Sequence, residues 1–336
     1  DYFLELVDEA GDRLLRGPDQ EDWFWRIGQE YANLRGLMSF AEAADEPQVI
    51  ARVASRLWPF WWTHGNVAEG RRWAEMALPH RARFDDELRA NVLHAAGRLM
   101  ALQGDTGRAR EVLQEYLEVC RRIGDQPHIA DALSGLGVVA SNLQEYAQAD
   151  RLWAEALRIY ESLDDQWGVA RASNNLGDLR VYQGEYADAI GHLEKAARLF
   201  GELHSALGES IALINLGRAS LLLGEAERAE TYFRSSLEIK TSLADKEGIA
   251  WNLEGLAGVA GASGKSERAA RLFGAADSLR RAISIALPAP DLPLYERMVS
   301  RARAGADPEV WGIWWDEGAR MELDRALAYA QHPDRS

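Results

Sequence analysis

The sequence predicts an all-α protein, a solenoid of about six helical hairpins with a helical cap at each end. Three columns of residues carry that expectation. Glycine recurs every forty residues at Gly97, Gly137, Gly177 and Gly217, with Ala257 next. Seven residues later comes a second column of Gly104, Gly184, Gly224 and Gly264, interrupted by Gln144. Five further on, Ala109, Ala149, Ala189, Ala229 and Ala269 form a column without exception. A fixed period of this size marks a repeat architecture, in which each unit buries its apolar face against its neighbours.

The columns have local meanings. Around Gly217 the small or apolar residues are Ser210, Leu213, Leu216 and Ala219; around Gly137 they are Ala130, Leu133, Leu136 and Val139. That spacing is one face of an α-helix. A mid-helix glycine costs about 1 kcal/mol relative to alanine, so its recurrence points to a close backbone approach by the second helix. The second column marks the turn between the helices. In the second helix the invariant alanine permits a close crossing, and four residues on stands a large one: Leu113, Trp153, Leu193, Phe233 or Phe273. A further apolar column, Ile123, Leu163, Leu203, Leu243 and Ile283, extends that helix. Asp125, Asp165, Ser205 and Asp245 follow as N-caps for the next unit.

A small residue and glycine, a glycine turn, alanine, then a bulky residue and a small one resemble the tetratricopeptide repeat. The usual repeat has 34 residues and a proline near its end. Here the period is forty and that proline is absent, Arg121, Glu161, Gly201, Thr241 and Arg281 taking its place. The resemblance implies a right-handed α-α superhelix, an open arch with the first helices on the concave side. The repeats are expected at 48–85, 86–125, 126–165, 166–205, 206–245 and 246–285, between an N-terminal cap at 1–47 and a C-terminal cap at 286–336.

The first 47 residues read as two helices. Gly17-Pro18 separates them, and the second carries Trp23, Trp25, Ile27, Tyr31, Leu34 and Leu37. Gln48 to Arg83 is a degenerate first repeat with its turn at Gly65 and a cluster of Trp58, Phe60, Trp61, Trp62 and Trp73. Burial of large aromatic groups favours packing over a ligand cage for that cluster. Pro59 should kink the first helix. Beyond Ala269 the repeat decays. Pro288, Pro290 and Pro293 predict an extended link. Helices are expected from about Asp291, from about Pro308 and near Glu322, with Trp311, Trp314 and Trp315 covering the last repeat.

Two stretches carry a finer resemblance. Glu30 to Phe40, EYANLRGLMSF, has an acidic residue, two spacers and Asn-Leu-Arg. Leu272 to Arg280 (LFGAADSLR), Tyr295 to Arg297 (YER) and Trp311 to Ala330 follow one plan. Both resemble the sensor region of bacterial signal-transduction ATPases of the LuxR or maltose-regulon-activator type. That resemblance implies a transcription regulator in the cytoplasm, with an NTPase module upstream and an effector, neither within this sequence. The alternative is a stand-alone tetratricopeptide scaffold for protein–protein interaction.

By the same resemblance, the concave groove would bind a peptide, a protein or a small-molecule inducer. By resemblance to tetratricopeptide proteins, the wall columns stand six and three before the glycine column and one, four and five after it. From them come Asn91, Arg98, Asp131, Asn142, Arg171, Asn174, Asp178, Tyr182, Arg218, Trp251 and Glu254. Asn175 and Asn215 stand where tetratricopeptide domains often grip a peptide backbone, an amide being donor and acceptor at once. The competing reading is a hydrogen bond between helices of the array. Repeat five adds Ile211, Ile214, Leu221 and Leu222, apolar groups that either meet a partner or lie under the C-terminal cap. The lysines of the carboxylate-clamp subfamily are missing from the matching columns.

Composition narrows the function classes. A net charge of −15 disfavours a nucleic-acid surface. A lone Cys120 excludes a disulfide framework and suits a reducing compartment. No apolar run approaches the roughly 20 residues of a membrane span. The chain begins at Asp1 without Met, which reads as an excised segment. Gly264-Lys265-Ser266 mimics the end of a phosphate-binding loop, but Val259 stands where that loop needs glycine. Seven scattered histidines give no metal motif, and no nucleophile lies beside a base. The reading is therefore a non-catalytic binding segment without cofactor or metal.

Overall fold

The computed structural model describes residues 2–331 except 284 and 286. Among the described residues every regular element is helical. Helices α1 (Tyr2–Arg13) and α2 (Gln20–Ala43) precede the hairpins. The first hairpin is α3 (Pro47–Thr63) with α4 (Val67–Ala77), followed by a 3₁₀ turn at Leu78–Arg83. Next come α5 (Asp86–Leu102) with α6 (Thr106–Ile123), and α7 (Gln126–Asn142) with α8 (Tyr146–Ser162). Then follow α9 (Gln166–Gln183) with α10 (Tyr186–Glu202), and α11 (Ala206–Leu223) with α12 (Ala226–Ser242). The sixth pair is α13 (Lys246–Ala262) with α14 (Ser266–Ile283). The chain ends in α15 (Leu292–Arg303), α16 (Pro308–Ala319) and α17 (Leu323–Gln331). The fold is all-α and tetratricopeptide-like.

The glycine columns act through contact. A Cβ at Gly97 would come within 2.6 Å of Leu113, at Gly177 within 2.6 Å of Leu193, and at Gly217 within 2.8 Å of Phe233. At Gly137 it would strike the Trp153 indole, whose Nε1 donates to the Ser134 carbonyl at 3.0 Å. In these four repeats the glycine thus admits the repeat's own bulky residue. The turn column needs left-handed backbone: Gly104, Gly184, Gly224 and Gly264 have φ of 76°, 81°, 88° and 74°. Gln144 adopts the same region at φ 60°. Asp125, Asp165 and Asp245 cap α7, α9 and α13, accepting from the backbone N–H of His128, Gly168 and Gly248.

A second set of turns, between repeats, is left-handed at Gly124, Asp164, His204 and Ala244, three of them without glycine, with Ala244 at φ 52°. That conformation costs an L-residue about 1–2 kcal/mol, and glycine's extra unfolded-state entropy returns about half of it. Ala244→Gly is therefore expected to raise stability by about 0.5–1 kcal/mol, read as a higher urea midpoint with unchanged slope.

Pro59 is accommodated inside α3, and Thr63 Oγ1 donates to the Pro59 carbonyl at 2.5 Å. Trp58, Phe60, Trp61 and Trp73 are buried. Trp61 Nε1 donates to the Tyr31 hydroxyl at 2.8 Å, and Tyr31 donates to Glu69 at 2.7 Å. In the α2 motif Leu34 is buried and Arg35 pairs with Glu69 at 2.7 Å. Pro293 lies in the first turn of α15 and not in an extended link. Helix α11 is long and apolar enough to cross a membrane by length and composition, but most of it is buried in the fold.

The chain forms two compact units. One runs to Asn175 and takes in Leu199–Ala206; the other comprises Leu176–Arg198 and the chain from Leu207 onward. In the second, α14 and α16 cross backbone to backbone. A Cβ at Gly274 would overlap the Trp315 carbonyl, and one at Gly318 the Arg271 carbonyl. Those glycines belong to the LFGAAD stretch and to the Glu-Gly step, so the C-terminal motif encodes a crossing point. Around it Phe273 stacks on Trp315 at 6.2 Å, and Trp311 is buried.

Candidate binding site

The residues expected on one groove divide between the two units. Asn91, Arg98, Asp131, Asn142, Arg171, Asn174 and Asn175 lie in the first; Asp178, Tyr182, Asn215, Arg218, Trp251 and Glu254 lie in the second.

In the first unit, α5, α7 and α9 each supply one row. Arg171 donates to Asp131 and to the Tyr160 hydroxyl, and Tyr160 donates to Asp131 at 2.7 Å. Arg171 also lies 4.9 Å from the centroid of Trp167, whose ring Arg16 approaches to 4.4 Å. Arg16 pairs with Asp165 at 3.4 Å, and Ser205 Oγ donates to the Leu15 carbonyl at 3.3 Å. The α1–α2 connection is thus joined, within this unit, to the start of α9 and to the α10–α11 turn.

His94 stacks on Tyr116 at 5.2 Å and meets Trp58 edge-on at 5.6 Å. Arg98 lies 5.3 Å above the Trp58 ring. Asn175 Nδ2 donates to Ser134 Oγ at 3.4 Å, a bond between neighbouring first helices. Asn174 is buried. Asn91 and Asn142 are partly buried, and among the described residues neither side chain has a hydrogen-bond partner.

In the second unit the wall is occupied by the chain itself. Arg218 donates to Asp178 at 3.1 Å and to Asp291, which also accepts from the Tyr182 hydroxyl at 3.0 Å. Asp291 is the residue before α15, yet its carboxylate makes no cap bond because Arg218 and Tyr182 hold it. Leu294 packs with Val181, Leu216 and Ala219. Met298 and Ala302 lie against Gly258 and Gly261 of α13. Trp251 has Arg280 at 4.4 Å and Arg218 at 5.6 Å from its ring centroid. Glu254 and Arg280 form a buried bidentate pair at 2.5 and 2.9 Å. Asn215 accepts from Arg218 at 3.4 Å. Ile214 and Leu221 belong to the core beside this segment. Their apolar surface is thus covered by the C-terminal cap, the second of the two readings open from sequence.

Sequence reasoning missed Lys240, Arg280 and Asp291. Lys240 and Arg280 continue the column of Cys120, Tyr160 and Phe200, which reads as core. Lys240 is buried and pairs with Asp245 at 2.6 Å. The column does carry the signal, since a cation at a buried position demands a carboxylate nearby. Cys120 is wholly buried, and burial, helped by Asp125, pushes its thiol up to about 12. It is an inert core residue.

Electrostatics separate the two walls. Burial pushes His94 down to about 3, only partly offset by Asp131. Burial alone would raise Asp131, but Arg171 and His94 hold it well below the usual carboxylate range. Asp178 is pushed up to about 6 by burial, against the pull of Arg218, with Asp291 adding to the rise. Glu254 is raised by burial, with Arg280 opposing.

The signs then follow from proton linkage. Below its unfolded pKa near 6.5, His94 takes a proton only when unfolded, so stability falls with pH; Asp131 acts the same way below about 4. Asp178 and Glu254 bind protons more readily when folded, so their contribution rises as pH falls through the range between folded and ordinary values. Hydrogen exchange at pH 4.5 against pH 7, corrected for intrinsic rates, is expected to show lost protection in α5 to α8. Protection in α11 and α13 is expected to hold or rise.

Helical hairpins at a forty-residue period, with inward rows of arginine, amide and aromatic groups, define a tetratricopeptide-like repeat protein. Residues 128–202 and 211–242 match the tetratricopeptide repeat family. No curated protein sequence matches the chain. Among solved structures it is similar to a Rap protein complexed with competence and sporulation factor, with a TM-score of 0.69 and 14% identity, over 98% of this chain and 88% of that one. It is similar to NprR in complex with its cognate peptide NprX, with a TM-score of 0.57 and 11% identity, over 96% and 93%. The apo form of RapI aligns with a TM-score of 0.52 and 18% identity, over 84% and 96%.

Proposed function

We propose that this chain is a non-catalytic binding segment whose first unit holds a peptide along α5, α7 and α9. One observation carries the reading: the two units spend their inner rows differently. The second closes its arginines and carboxylates on each other and on Asp291. The first leaves Asn91, Asn142 and Arg98 without hydrogen-bond partners among the described residues. Partly exposed amides without a partner in the chain are free to meet a ligand, and a peptide backbone offers both partners an amide needs. The fold agrees, since NprR and the Rap protein of similar fold were solved with a peptide and with a sporulation factor.

We further propose that the segment is the sensor of a cytoplasmic bacterial regulator, relaying occupancy to an NTPase module. The support is the C-terminal motif, whose Gly274 and Gly318 make a close helix crossing, together with the Asn-Leu-Arg stretch on α2. Relay would arise from differential affinity of the ligand for two states. Two measurements test these readings. Mg-ATP should leave the melting temperature of this chain unchanged, and a clear rise would place nucleotide chemistry here. Backbone exchange in α5 and α7 should slow on adding peptides selected from a random octapeptide library. Slowing confined to α11 and α13 would refute the assignment to the first unit.

A further inference from the structure

Two arginines on the inner rows have carboxylate partners, Arg171 with Asp131 and Arg218 with Asp178 and Asp291, and so has Arg280 of α14, with Glu254. Arg98 has none. Among the described residues its guanidinium makes no ion pair and donates no hydrogen bond; its one recorded contact is the face of Trp58, 5.3 Å away. Arg98 and Val138 occupy one column in successive repeats, and Trp58 stands one position earlier in its own repeat, seven before the Gly65 turn. Arg98 is only partly buried, so its guanidinium stays open to an incoming ligand while, among the described residues, no carboxylate of the chain pairs with it.

We propose that Arg98 anchors one carboxylate of a bound peptide, an Asp or Glu side chain that enters against Trp58. This rests on the peptide-binding reading of the same wall. Charge balance selects the ligand's chemistry. Arg98 and Arg171 are two cations facing one carboxylate, Asp131, and His94 beside them is neutral. One further negative charge restores neutrality, whereas a phosphoryl dianion would overshoot beside Asp131 in a chain of net charge −15. Burial and the neighbouring Arg171 depress the Arg98 guanidinium to about 10, the direction an incoming carboxylate would reverse.

The amides fix the ligand as a chain and not a small acid. Asn91 and Asn142 lie eleven positions apart in the repeat register. At 1.5 Å per residue that is about 16 Å along the first-helix axis, a span suited to several extended residues.

The test begins by selecting peptides from a phage-displayed random octapeptide library on the 336-residue chain. Enriched sequences should share one acidic position. The best of these, made synthetically, should bind about tenfold or more tightly than its Asp→Asn or Glu→Gln isostere. Arg98→Met should remove that difference, lowering affinity for the acidic peptide about tenfold and leaving that of the isostere unchanged. Circular dichroism checks the helicity of the variant, and the isostere comparison on the unaltered chain stands even if the variant misfolds. Binders without an acidic position, or an isostere that binds equally well, would overturn the Arg98 assignment and leave peptide binding intact. A library that yields no binder overturns both.

Discussion

Gly318→Val is expected to cost about 4 kcal/mol or more and to detach the C-terminal cap. The reason is backbone geometry. At Gly318 the chain of α16 lies against the Arg271 carbonyl of α14, and at Gly274 against the Trp315 carbonyl of α16. Flexible side chains can yield by changing rotamer; two helix backbones cannot. A side chain at either glycine must force the helices apart, and the interface that opens holds Phe273, Trp311 and Trp315. Losing that burial is a large-to-small defect on the scale of a whole aromatic residue. Urea unfolding should show a lower midpoint, tryptophan emission should shift to the red in dilute buffer, and limited proteolysis should cut before α16. Gly312→Val is the control in the same helix. A Cβ there meets nothing within 4 Å, so its effect should stay within about 0.5 kcal/mol. Equal behaviour of the two variants would refute the crossing-point account.

Arg218→Met is expected to destabilise the second unit by about 3–5 kcal/mol at pH 7. The guanidinium is shared by Asp178 and Asp291, and the Asp291 side chain is 5% exposed. Methionine fills much of the volume but leaves two carboxylates with one hydroxyl donor, Tyr182, between them. Asp178 already sits high with the arginine present; without it, the folded-state pKa rises further. A folded pKa above the unfolded one means protons favour the native state as pH falls. The defect should therefore shrink between pH 7 and pH 5. Arg218→Met with Asp291→Asn should recover much of the loss at pH 7, because the stranded charge is gone. Hydrogen exchange should place the initial loss in α15, the helix that Asp291 fastens. A defect that is independent of pH, or that Asp291→Asn deepens, would refute the charge-sharing account.

The hairpins, their turns and the bulky residue that each glycine admits are legible in the sequence, because one local solution repeats every forty residues. Gln144 shows how firmly the column dictates backbone: it adopts left-handed φ without being glycine. Candidate wall residues are legible as positions, since helical period fixes which of them share a face. Their partners are not. Asp291 reads as the start of a helix, and nothing near it in the sequence announces Arg218, 73 residues away. Lys240 and Arg280 hide in a column whose earlier members are Cys, Tyr and Phe.

The sequence by itself determined the repeat, the period and the inward rows, because those depend on contacts within a hairpin and between adjacent ones. Only the tertiary structure decided which inward groups remain available. That outcome turns on segments brought together from 73 to 149 residues apart, Asp291 onto Arg218 and Arg16 onto Asp165. Charge satisfaction is a property of what the fold assembles around a group, and no local period records it.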